Sequence, residues 1–117
     1  MDASRAVVAL GALAHETRLA LFRLLVQQGP EGLPAGRIAE TVGVAPSSLS
    51  FHLQQLVRAG LITQRRRSRQ LIYAADFTAM NELVADLTEN CCGRDIAGAL
   101  VCDPAAVPVP ARAGRCA

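Results

Sequence analysis

A chain of 117 residues with a 51% hydrophobic fraction is one domain's worth of polypeptide, able to build a small core without disulfide help. Twelve arginines against ten carboxylates leave a net charge of only +2, which excludes a histone-like polycation and an acidic disordered tail as descriptions of the whole. Aromatic residues make up 3%, too few for the base-stacking platforms of single-strand binders.

In chain order, Val7, Val8, Leu10 and Leu13 predict a short apolar helix from about Ser4 to Ala14 that needs a partner surface. Residues 6–14 mimic a signal-peptide core, but Asp2 and Arg5 flank it and the apolar rhythm continues into the next helix. Leu19, Phe22, Leu25 and Val26 stripe a second helix over His15–Gln28, stopped by Gly29-Pro30. A loop with Gly32, Pro34 and Gly36 follows. Ile38, Ala39 and Val42 mark a third helix ending at Gly43, and Leu49, Leu53, Leu56 and Val57 a fourth that Gly60 terminates. The period then changes from about 3.6 to 2, so Leu61–Arg65 and Gln70–Ala74 predict a β-hairpin around the charged tip Arg66-Arg67-Ser68-Arg69. Asp76 is placed to N-cap a last helix whose face is Met80, Leu83, Val84 and Leu87. From Asp103 on, Pro, Gly and Ala crowd a segment that reads as a disordered tail. The expected fold is mainly α with a small β-hairpin wing, four helices, two strands and a helix. One folded domain is expected over residues 1–92, followed by a flexible segment, 93–117.

The stretch from Ile38 to Leu53 fits a helix-turn-helix for steric reasons. Ala39 lets two helices approach, Gly43 allows the tight turn, Pro46 suits a first helical turn where its missing N–H costs nothing, and Leu49 and Leu53 face back onto the preceding helix. The outer face keeps Ser47, Ser48, Phe51, Gln54, Gln55 and Arg58, with Ser50 and His52 at its margins. Hydroxyls, amides and a guanidinium near a helix N-terminus are what major-groove edges and phosphates require. Five arginines between 58 and 69, Arg58, Arg65, Arg66, Arg67 and Arg69, with no acid among them, form a cationic wing directly after the recognition helix. Residues 1–76 carry nine arginines and five acids, whereas residues 77–117 carry three and five, so a polyanion partner belongs to the first part. No lysine is present, and every cation therefore offers the planar fork suited to phosphates and guanine edges.

These residues resemble the ArsR/SmtB winged-helix repressors from about Leu10 to Cys92. Ala12-Leu13-Ala14-His15-Glu16-Thr17-Arg18-Leu19 resembles the family's "ALAxxxRL" opening. Ser47 to Leu56 with Arg58-Ala59-Gly60-Leu61 resembles its "S-x-x-S-x-H-L-x-x-L-x-x-A-G-L" core. The resemblance implies a cytoplasmic homodimer joined through the first and last helices, binding an inverted-repeat operator in duplex DNA and releasing it when an inducer binds. Ser68 stands where the family often has Gly in the wing turn, and Ala45 where a capping Ser is common.

All four cysteines, Cys91, Cys92, Cys102 and Cys116, lie in the last 27 positions. A disulfide framework would staple residues 1–90, which hold none. A thiol enzyme is disfavoured because no C-x-x-C is present and no cysteine opens a helix. Structural zinc is disfavoured too, since it wants four ligands with C-x2-C-like spacing or histidines. Soft thiolates select thiophilic ions, and Cys91, Cys92 and Cys102 give three sulfurs, a set suited to a trigonal pyramidal ion such as As(III). The family's Cys-x-Cys motif near the third helix is absent from Gly32–Arg37, and the last helix lacks the histidine of the zinc pattern. Asn90-Cys91-Cys92 instead resembles an arsenic-responsive branch with a vicinal pair after the last helix. That resemblance implies As(III) as inducer on Cys91, Cys92 and Cys102, with Cys116 a possible substitute. Methylarsenite, antimonite, Cd/Pb or a thiol-redox signal are the alternatives.

Overall fold

The computed structural model describes residues 1–91, which run in the order α1 (Ala3–Leu13), α2 (Glu16–Gln28), β1 (Leu33–Pro34), α3 (Ala35–Val42), α4 (Pro46–Arg58), β2 (Ile62–Arg67), β3 (Gln70–Ala75) and α5 (Phe77–Leu87). It is the expected mainly helical fold with a hairpin wing. One element was not anticipated: β1 pairs antiparallel with β3, Leu33 opposite Tyr73 and Pro34 opposite Ile72. Two residues are too short to show a period in sequence. Proline is tolerated there because β1 is an edge strand of the sheet β1-β3-β2.

Each helix starts and stops for a local reason. The Asp2 carboxylate accepts the Arg5 N–H at 2.8 Å and opens α1, and Asp76 does the same for Ala79 at 3.0 Å ahead of α5. His15 opens α2 through an unusual cap, its Nδ1 accepting the Thr17 N–H at 3.2 Å. Gly43, in the left-handed region at φ 75°, ends α3 and makes the turn into α4.

The core gathers Leu21 and Leu25 of α2, Ile38 of α3, Leu49, Leu53 and Leu56 of α4, and Leu61, Ile62 and Tyr73 of the sheet end. Each such buried leucine stabilises the fold by roughly 1.5–3 kcal/mol relative to leaving it exposed. In α2 the inward face is Leu21, Phe22 and Leu25, while Leu19 is exposed. In α1 the inward stripe is Ala6, Ala9 and Ala12, small residues that let α1 lie close against its neighbours. Its larger side chains point away: Val7 is 68% and Val8 57% exposed. On α5, Leu83 is buried and Val84 exposed.

The hairpin register pairs Arg67 with Gln70 across a two-residue turn, so β2 runs two residues further toward the tip than the expected Leu61–Arg65, while β3 starts at Gln70 as expected and ends one residue later, at Ala75. Ser68 takes φ +60°, a conformation that glycine adopts without cost. Compactness divides the chain into Met1–Asp86 and Leu87–Ala117. In the second unit, the Cys91 N–H donates to the Thr88 carbonyl at 2.9 Å and Asn90 has φ +60°. No helix among the described residues is long and apolar enough to cross a membrane.

Candidate nucleic-acid interface

Helix α4 separates its faces cleanly. Leu49, Leu53 and Leu56 anchor it, while Ser47, Ser48, Ser50, Phe51, Gln54 and Arg58 are exposed and Gln55 and His52 half-buried. Pro46 occupies the first turn, and Ala45 provides no side-chain cap. The backbone N–H groups of Ser47 and Ser48 are therefore left for an acceptor from outside, at the positive end of the helix dipole. An alanine where a capping serine is common thus suits an anion at this end of α4. Arg58 stands at the other end, about 18 Å along the axis. There it lines a hollow of about 300 Å³ with Ser4, Arg5 and Gly60, away from the serines it was grouped with by sequence.

The wing arginines divide by strand alternation. Arg65 lies opposite Ile72 and Arg67 opposite Gln70 on one face, and Arg66 opposite Leu71 on the other. Arg65 Nη2 donates to the Glu31 carbonyl at 2.9 Å, tying the wing base to the loop before β1. Arg65 and Arg67 also line an open hollow of about 560 Å³ with Glu31, Ser68 and Gln70. Arg66, Arg67 and Arg69 are exposed, Arg69 within the hairpin turn.

His52 has a partner the sequence did not reveal. Its ring lies 4.7 Å from that of His15 at the start of α2, and the Phe51 ring meets it edge-on at 5.7 Å. His52 Nδ1 and Arg18 Nε are buried and hydrogen-bonded to nothing among the described residues. Burial, then the charges of His15 and Arg18, hold the His52 pKa below its ordinary value of 6.5. The folded chain thus resists a proton that the unfolded chain accepts. Stability falls as pH drops through about 6.5 and levels off below the folded value. Urea midpoints at pH 7.5 and 5.5 are expected to differ more for the wild type than for His52→Gln; equal differences would remove His52 from the account.

The thiol segment is described only at Cys91; Cys92, Cys102, Cys116 and the expected flexible segment 93–117 lie outside the described residues. Among the described residues no three His, Cys, Asp or Glu side chains gather to hold a metal. Helix α5 stops at Leu87, ahead of the cysteine pair, and Asn90 turns the backbone into the left-handed region.

Comparison with known proteins agrees with this architecture. The helix-turn-helix domain family profile matches residues 13–65. The HTH-type transcriptional regulator YgaV of Escherichia coli strain K12 is 30% identical over 91 residues, covering 78% of this chain and 90% of its own. Among solved structures, HlyU from Vibrio cholerae N16961 superposes with a TM-score of 0.59 at 32% identity, over 74% of this chain and 97% of its own. A homodimeric winged helix-turn-helix DNA-binding domain from Mycobacterium bovis, described as a possible ArsR-family regulator, gives 0.57 at 26% identity, over 74% and 83%. This chain belongs to the family of winged helix-turn-helix transcriptional regulators, proteins that bind DNA.

Proposed function

We propose that this regulator is a metalloid-responsive repressor in the cytoplasm, a homodimer that binds an inverted-repeat operator and leaves it when trivalent arsenic is bound by Cys91, Cys92 and Cys102, derepressing arsenic resistance genes. The observation that carries the reading is where the helix ends. Adjacent cysteines inside a helix diverge by about 100°. Here α5 stops at Leu87 and Asn90 takes φ +60°, so the backbone entering the Cys91-Cys92 pair is not held helical. Thiolates there supply soft donors for a trivalent ion, with Cys116 as an alternative third sulfur. The dimer is supported by Val7 and Val8 of α1, large apolar side chains that are exposed among the described residues. The similar winged helix-turn-helix domain from M. bovis is itself homodimeric.

Arsenite is expected to weaken binding to an inverted-repeat duplex by roughly 5- to 150-fold, the usual range of coupling between two sites. Cys91→Ser and Cys92→Ser should each abolish that response while leaving arsenite-free binding intact. Release that persists in both variants would refute the arsenic reading. Release by a thiol oxidant but not by arsenite would favour a redox signal, and a response confined to methylarsenite would favour a two-sulfur site.

A further inference from the structure

We infer that Phe51 is a specificity residue that reads the C5-methyl group of a thymine in the major groove. The inference deepens the DNA-reading role of α4 and rests on it. Phe51 is 57% exposed at the centre of the outward stripe of α4, with Ser47 and Ser48 one turn before it and Gln54 and Gln55 one turn after. A single exposed phenylalanine needs no explanation in itself. Its position does, because every neighbour on that stripe can hydrogen-bond and the phenyl ring cannot.

In the major groove the edges of adenine, guanine and cytosine present acceptors and donors, and a phenyl ring packed on any of them strips water from a polar atom and returns no bond. The one apolar element on that surface is the thymine methyl. A ring held in the middle of the reading face therefore favours thymine and penalises the other bases. The ring is also oriented. It meets the His52 ring edge-on at 5.7 Å, and His52 in turn lies 4.7 Å from His15 at the start of α2. That contact gives one side of the Phe51 ring a neighbour tied through His15 to α2, which favours one orientation and reduces the side-chain freedom lost on binding.

The test uses the full chain and a duplex that the protein itself selects from a random pool, with each thymine replaced in turn by uracil, which removes only the methyl. Wild type is expected to lose affinity about four-fold at one thymine of a half-site, the factor that ~0.8 kcal/mol for one buried methyl corresponds to. Phe51→Ala should bind the selected duplex more weakly and be indifferent to uracil at that position, and Phe51→Leu, which keeps an apolar contact, should retain part of the dependence. The core lies on the opposite face of α4, so these variants keep the fold, checked by unchanged thermal midpoints. A wild type insensitive to uracil at every thymine, or a Phe51→Ala variant with undiminished sensitivity, overturns the inference. So does a loss of affinity in Phe51→Ala that is the same with and without the methyl, which would make the ring a wedge or a packing element. Failure of the wild type to bind any duplex would overturn the DNA-reading role itself, an outcome distinct from binding without methyl dependence.

Discussion

Gly32→Ala is expected to lower the stability of the domain by about 3 kcal/mol, from a left-handed backbone costing roughly 1–2 kcal/mol and overpacking costing roughly 1–3 kcal/mol. Gly32 has φ +73°, and a Cβ there would overlap the carbonyl oxygen of Tyr73 and stand 3.0 Å from Cγ2 of Ile72. Neither neighbour can step aside cheaply. Tyr73 and Ile72 form the middle of β3, paired with β1 on one side and with Gln64 and Arg65 of β2 on the other. Moving the loop instead would pull Leu33 and Pro34 from their register and break the Arg65–Glu31 bond at the wing base. Chemical denaturation measures the loss, and Gly36→Ala is the control. Gly36 lies in α3 with nothing within 4 Å of its added Cβ, so that change should raise stability by up to about 1 kcal/mol. Similar effects from the two variants would mean that intrinsic helix and loop preferences, not the approach of Gly32 to β3, decide the outcome.

The same residue marks the boundary of what the sequence makes legible. Helix α4 could be placed from local signals alone: the turn at Gly43, Pro46 in the first turn, and leucines at 49, 53 and 56 facing inward. Asp76 capped α5 as its chemistry predicted. What escaped was non-local. The strand β1 exists because Tyr73 and Ile72 offer it an edge, and nothing within Leu33-Pro34 announces that. The inward face of α1 is its alanines, since the close approach to its neighbours admits only small side chains, whereas Val7, Val8 and Leu10, which mark the helix as needing a partner surface, are exposed and Leu13 packs at the core margin. The pairing of the His15 and His52 rings arises from the packing of α2 against α4, and no local signal around either residue announces it. Arg58, which the sequence places both on the outer face of α4 and with the wing arginines, stands exposed at the C-terminal end of that helix beside Arg5.

The division among the wing arginines leads to a second large effect. Replacing Arg66, Arg67 and Arg69 together by alanine is expected to weaken duplex binding by roughly a hundred-fold or more near physiological salt and to flatten the dependence of log K on log salt by about 0.9 for every phosphate no longer neutralised. All three side chains are exposed near the hairpin tip, where each can meet the DNA backbone, and their loss removes charge without touching the core. Arg65→Ala should behave differently. Its guanidinium already donates to the Glu31 carbonyl, so its removal loosens the wing base and costs affinity mainly through misplacement of the other three, with little change in salt slope. Because non-specific binding is almost wholly electrostatic, the triple variant should lose affinity for operator and random duplex alike, leaving the ratio between them nearly unchanged. Residues on α4 should do the reverse, altering that ratio while the salt slope stays steep. A triple variant with an unchanged salt slope would place the phosphate-binding groups elsewhere, with Arg37 and the uncapped N-terminus of α4 as the next to test.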